Sequence, residues 1–299
     1  MVQHVPVLLK QITDILAVKG GEIFLDCTLG GGGHSASICQ ATHGEARIIG
    51  LDIDEDAEKR VENTLKKEGC RFQFFNQNFK DLDNALAKAG VSHVHAILYD
   101  LGWSSFQTEI SGRGFSFKKD EPLLMTFSKN PKADDLTAQK ILNSWEEENI
   151  ELILKVYGEE RFARRIARRI TERRQTKEIL TTFELVEIVK SAIPASAKRK
   201  GGIHPATKTF QALRIAVNDE MSALKKGLQN GFEALNSEGK MAVISFHSLE
   251  DRIVKRTFSQ WAKEEKGKII TKKPLTADEA ETENNPRSRS AKLRVFQKY

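Results

Sequence analysis

The segment EIFLDCTLGGGGHS, residues 22–35, passes from a short apolar run through four consecutive glycines into a helical pattern. Read as strand, turn and helix, it is the opening of a βαβ unit. Glycines at such a turn let the backbone bend sharply and approach a ligand closely. Outward from it the rhythm repeats. ARIIGLD at 46–52 reads as a second strand, a charged stretch at about 54–68 as a helix, and RFQFFNQ at 71–77 as a third strand. Residues 80–89 suit another helix, and VHAILYDLG carries a fourth strand ending near Asp100. Short apolar runs separated by helical patterns predict a parallel sheet buried on both faces. A short amphipathic segment, with Val7, Leu8, Ile12, Ile15 and Leu16 at helical spacing, precedes it.

The rhythm stops after Asp100. Residues 105–135, rich in Gly, Ser, Lys and Asp, read as an irregular connection, and 135–200 as wholly helical. It resumes with a long helix at about 205–236, a strand KMAVISFH at 240–247 and a helix from Leu249 to about Lys263. Two further strands, KIITKK and AKLRVFQK, flank a polar acidic loop. The chain is therefore expected to be an α/β domain in two parts, 1–104 and 204–299, interrupted by a helical domain at 105–203.

Composition narrows the function classes. The 299 residues are 39% hydrophobic and 29% charged, with a mean hydropathy of −0.43, which is the balance of a folded water-soluble protein. No apolar run approaches the ~18 residues of a spanning helix. The N-terminus lacks the basic start and long apolar stretch of a signal peptide, so a cytoplasmic protein with no membrane partner is expected. Cys27, Cys39 and Cys70 form no C-x-x-C pair and make an odd number, which argues against a disulfide scaffold. No histidine spacing matches zinc ligation, so no metal is expected. A net charge of +6 permits a polyanionic partner without requiring one.

Candidate site residues follow from strand ends. Asp52 closes the second strand about 20 residues after the glycine turn, where a carboxylate meets the ribose hydroxyls of a nucleoside. The blander alternative is a tight turn with a capping aspartate. A pyrophosphate could also sit on the glycines, although no G-x-x-x-x-G-K-[ST] is present. Asn78-Phe79 and Asp100 end the third and fourth strands, at the edge where open sheets bind ligands. Phe79 is either an adenine-stacking ring or a core aromatic, and Asp100 either a site carboxylate or a cap. Farther on, Arg161, Arg164, Arg165 and Arg168 share one helical face opposite Phe162, Ala163, Ile166, Ala167 and Ile170. Eight basic residues lie between 161 and 177 against one acid, Glu172, a pattern suited to phosphate contacts. Lys198-Arg199-Lys200 adds a second basic segment.

Several segments together resemble the bacterial ribosomal RNA small subunit methyltransferase H (MraW) family. They are HVPVLLK at 4–10, DCTLGGGGHS at 26–35, GLDID at 50–54, DLGWSSFQ and RGFSF between 100 and 117, and YGEERFARRIA at 157–167. HPATKTFQALRIAVNDE at 204–220, SFHSLEDRIVK at 245–255 and NPRSRSAKLRV at 285–295 complete the set. The resemblance implies a Rossmann-like class I methyltransferase sheet with an inserted all-helical domain. It implies S-adenosylmethionine as cofactor and N4 of a cytidine in the decoding region of 16S rRNA, in the small ribosomal subunit, as the methyl acceptor. Gly32, Gly33, His34, Asp52, Phe79, Asp100 and Gln107 would form the cofactor pocket. Asp100, or a backbone carbonyl beside it, would also accept a hydrogen bond from the acceptor amine, and Trp103 would offer the base a stacking face. The family's D-G-P-L-D-M-R-M reads here Asp120 to Phe127 as DEPLLMTF, with Leu124 and Thr126 replacing an acid and an arginine. Two other readings compete: a Rossmann dehydrogenase, and a non-catalytic rRNA-binding or assembly factor that retains the cofactor. The oligomeric state is left open.

Overall fold

The computed structural model describes residues 5–101, 112–194 and 203–299. It divides into two compact units, one made of Met1–Ser104 with Met221–Tyr299 and the other of Ser105–Glu220.

The first unit is built on one seven-stranded sheet in the order β3-β2-β1-β4-β5-β7-β6. Strands β1 (Ile23–Asp26), β2 (Arg47–Asp52), β3 (Arg71–Asn76), β4 (Val94–Asp100) and β5 (Leu235–Ser245) run parallel, whereas β7 (Lys292–Lys298) is antiparallel to both β5 and β6 (Gly267–Ile269). The reversed strand between β5 and the edge separates this sheet from the dinucleotide-binding order 3-2-1-4-5-6, and so from the dehydrogenase reading.

Alternation along the strands buries both faces. Leu25, Ile49, Ile97, Tyr99, Met241 and Val243 pack on one side with α4 (Leu82–Lys88), α10 (Glu220–Ala234) and α11 (Ser248–Lys263). Their neighbours Phe24, Ile48, Ala96, Leu98, Ala242 and Ile244 pack on the other with α1 (Leu9–Leu16) and α2 (Gly33–Ala41). Helix α3 (Ala57–Leu65) contributes Val61 and Leu65, which close over Leu29. An aromatic wedge anchors α11: Trp261 lies 4.5 Å from Phe232 and 5.5 Å from Phe296 between ring centroids, and Phe258 lies 5.4 Å from Phe296.

The second unit holds α5 (Ala138–Ser144), α6 (Glu147–Val156), α7 (Ala163–Arg174), α8 (Thr182–Ala192) and α9 (Thr207–Asn218). Residues 112–135 carry no helix or extended strand. Thr181 and Glu184 form a capping box that starts α8. Helix α9 packs on α6 and α5, which corrects the expected boundary at 204: the unit continues through Glu220. The single helix expected at 205–236 is two, because Asp219 adopts a left-handed conformation (φ 47°) that the α-helix cannot contain. The acidic loop expected near the C-terminus holds a helix, α12 (Glu279–Asn284).

The cysteine expectation is also corrected, since Cys39 of α2 and Cys70 before β3 form a disulfide across 31 residues of sequence. Local spacing could not reveal a pair that only the stacking of α2 beside the third strand brings together. No helix among the described residues is long and apolar enough to cross a membrane.

Phe258→Ala should lower the unfolding free energy by about 3–5 kcal/mol, because it opens a cavity between α11 and the sheet. Equilibrium urea denaturation checks this; a change below about 1 kcal/mol would show that the wedge does not anchor the helix.

Candidate functional site

The site grows from the carboxyl ends of β1, β2 and β4, which carry Asp26, Asp52 and Asp100. Asp26 is buried where β1 ends. One carboxylate oxygen accepts the Ser35 hydroxyl at 2.7 Å and the other accepts the Thr28 backbone N–H at 3.2 Å. Both sides of the glycine turn are thus tied to the strand end. Burial pushes the Asp26 carboxyl up to about 6, against the opposing pull of the Ser35 hydrogen bond.

Gly32 caps α2 in the left-handed region (φ 77°), where a side chain would be strained. A β-carbon on Gly33 would overlap the Pro6 side chain, so the helix start can press against the N-terminal segment only with glycine there. The space above Gly31, by contrast, is open.

Asp52 is half-buried and accepts the backbone N–H of Gly30 at 2.7 Å on one oxygen and that of Asp54 at 2.8 Å on the other. Its carboxylate therefore shapes the turn as well as facing it, with one lone pair on each oxygen still available. Burial raises its pKa above the usual carboxylate value, and the two N–H bonds work against that rise. The following acid, Asp54, is paired with Arg60 at 2.7 Å and belongs to the start of α3.

His34 and Asp100, expected separately from the sequence, are brought together. His34 Nε2 lies 3.5 Å from Asp100 Oδ2, and the Asp100 backbone N–H donates to Thr28 Oγ1 at 2.7 Å. Among the described residues, Nδ1 and Nε2 of His34 and Oδ1 of Asp100 are buried without a hydrogen-bond partner. Buried polar atoms of this kind are costly unless something satisfies them. These atoms lie at the carboxyl ends of the strands, where open sheets bind ligands, and a polar ligand group there would satisfy them. Phe79 heads a short 3-10 turn capped by Asn78. It meets Tyr99 edge-on at 5.5 Å, and a β-carbon on Gly227 would strike its ring, so one flank of Phe79 belongs to the core. Gln107 and Trp103 lie outside the described residues, as does the basic segment 198–200.

The arginine helix is corrected in two details. Helix α7 begins at Ala163, so Arg161 precedes it and instead lies over the Phe162 ring at 4.5 Å. Arg168 and Arg169 are not free of acids, since Glu172 accepts from them at 2.8 and 3.0 Å. Ala163, Ile166, Ala167 and Ile170 are buried while Arg164 and Arg165 are exposed, as their spacing predicts. Arg174 turns back to donate to the carbonyls of Leu142 and Trp145, holding the helix end.

At the substituted segment, Arg113 is buried and donates to the carbonyls of Thr126 and Phe127. The Thr126 hydroxyl donates to Ser128 O at 2.9 Å, and Leu124 is half-buried, so both replacements are built into the local packing. Sequence reasoning did not single out Asp26 and Ser35 as a pair. Their signal was available, an acid at a strand end and a hydroxyl in the first turn of the next helix.

Known proteins are similar to this chain from end to end. The ribosomal RNA small subunit methyltransferase H of Symbiobacterium thermophilum is 44% identical over 310 residues, covering 99% of this chain and 96% of that protein. The protein of the same name from Halothermothrix orenii is 45% identical, covering 100% and 99%. That of a Paenibacillus species is 44% identical, covering 100% of both. A family model described as the MraW methylase family matches residues 1–299, and with relatives of this identity along its full length the chain belongs to that family.

Proposed function

We propose that this chain transfers a methyl group from S-adenosylmethionine to the N4 amine of a cytidine in the decoding region of 16S rRNA. The observation that carries the reading is the set of unsatisfied buried atoms of His34 and Asp100 at the carboxyl ends of β1 and β4. The family and the names of its relatives support rRNA as the substrate class, and the resemblance of the motifs supports the cytidine amine.

The cofactor, when bound, supplies an electrophilic methyl group on a sulfonium. Gly32, Gly33 and His34 would line it at the turn, Asp52 would hold the ribose through its remaining lone pairs, and Phe79 would lie beside the adenine. By the resemblance of the motifs, Asp100 and Gln107 would serve the methionine end of the cofactor. Asp26 acts beneath them as a positioning residue, through Thr28 and Ser35.

The acceptor amine is a poor nucleophile, because its lone pair is delocalised into the cytosine ring. A carboxylate oxygen that accepts one of its N–H bonds helps to localise that pair. Asp100 Oδ1, buried and without a partner among the described residues, is poised for this. By the resemblance of the motifs, Trp103 would offer the base a stacking face. The base leaves its helical stack to reach a site of this kind, and orientation contributes much of the rate. Arg161, Arg164, Arg165 and Arg168 hold RNA phosphates.

Small ribosomal subunits from a strain lacking this activity, incubated with labelled S-adenosylmethionine and the protein, should yield N4-methylcytidine by nucleoside mass spectrometry. Asp100→Asn should lower the rate at least ~100-fold on the scale of lost acid–base assistance; normal turnover in that variant would remove Asp100 from the chemistry. Arg164→Glu with Arg165→Glu should weaken subunit binding and reduce its salt slope by roughly 0.7–0.9 for each phosphate released. Unchanged binding would remove the arginine face from the substrate interface.

The raised pKa of Asp26 gives stability a pH dependence. Between the unfolded value of 3.8 and the folded value of about 6 the folded state holds a proton that the unfolded chain releases. Stability from this group is therefore lost as pH rises through that window, by at most about 3 kcal/mol. Thermal or urea unfolding of Asp26→Asn should show a flatter dependence between pH 4 and pH 7 than the wild type. Parallel profiles would mean that Asp26 does not titrate there.

A further inference from the structure

Helix α11 carries a second basic face, separate from the arginines of α7. Arg252, Lys255, Arg256, Ser259, Gln260 and Lys263 line an open depression of about 470 Å³ on the sheet unit. Their spacing places them on one side of the helix, opposite Val254, Phe258 and Trp261, which are buried in the aromatic wedge. The face is consequently held on a rigid support.

An ordinary solvated helix offsets its cations with acids three or four residues away. Here those positions hold Ser259 and Gln260, and the one acid among them is Asp251, four residues before Lys255. The acids of the helix are committed elsewhere. Glu250 is buried and caps the N-terminus. Asp251 takes Arg294 at 2.6 Å and Lys292 at 3.6 Å. Just beyond the helix, Glu264 takes Lys266 at 2.8 Å and the Gln260 amide at 2.8 Å. Lys255, Arg256 and Lys263 are exposed and have no ion-pair partner among the described residues.

Lys255, Arg256 and Lys263, interleaved with hydroxyl and amide groups and rising 1.5 Å per residue over about 12 Å, complement a run of backbone phosphates. The neutral side chains suit phosphate oxygens and 2′-hydroxyls. We propose that this face of α11 grips the phosphate backbone of the RNA substrate, as a binding surface on the sheet unit additional to the arginines of α7. The inference rests on rRNA being the substrate.

The test is a salt titration of binding to small ribosomal subunits by the full-length protein. The triple variant Lys255→Gln, Arg256→Gln, Lys263→Gln should bind at least ~10-fold more weakly at moderate salt. Its plot of log K against log[salt] should be shallower by roughly 2–3, at 0.7–0.9 for each phosphate. The charge-preserving triple Lys255→Arg, Arg256→Lys, Lys263→Arg should stay near wild type. Calorimetry with S-adenosylmethionine should give the same affinity for all three proteins, showing that the sheet is intact. An undiminished slope in the glutamine triple overturns the proposal. So does a loss confined to vesicles containing phosphatidylglycerol, with subunit binding unchanged. Methyl transfer by the wild type, assayed in parallel, reports separately on the reaction: its absence overturns that reading, while the salt slope still decides the surface.

Discussion

The buried carboxylate of Asp26 ties the end of β1 to both arms of the glycine turn, and the site depends on that clamp. Without it the turn would be four glycines with a large conformational entropy. With it, the Thr28 N–H and the Ser35 hydroxyl are fixed to one strand end. Thr28 in turn accepts the backbone N–H of Asp100 from the neighbouring strand. One buried acid therefore sets the spacing of β1, α2 and β4, where His34 and Asp100 meet. Its elevated pKa records the desolvation cost of keeping that acid inside.

The sheet makes this clamp rigid. Parallel strands with apolar residues on both faces need helices on both faces, and Tyr99 shows how closely they fit. Its hydroxyl donates to the Gly227 carbonyl at 2.6 Å, its ring meets Phe79, and a β-carbon on Gly231 would strike it. Phe79 is thus positioned by the core on one flank.

Charge is organised by what the acids do. The net excess of +6 is modest, yet it is distributed unevenly because many carboxylates are engaged in structure. Glu184 accepts Lys177 and two backbone N–H groups at the start of α8, Glu250 caps α11, and Asp251 locks Arg294 beside it. Cations left without such partners stand out on α7 and α11. A polyanionic substrate is attracted to that uneven distribution rather than to the total.

The amino-acid sequence determined the strands and helices of the α/β unit, the helical insertion, and the acids at strand ends. These are local matters of periodicity and turn chemistry, and EIFLDCTLGGGGHS with GLDID carried most of them. The motifs also carried the family. Only the tertiary structure decided that β7 reverses between β5 and β6, that Cys39 meets Cys70, and that α9 belongs to the helical unit. It alone decided that His34 faces Asp100. Each is a pairing between groups on different elements or different turns, and such pairings follow from packing geometry. Hydrophobic period records which face of a segment is buried, but not which partner buries it.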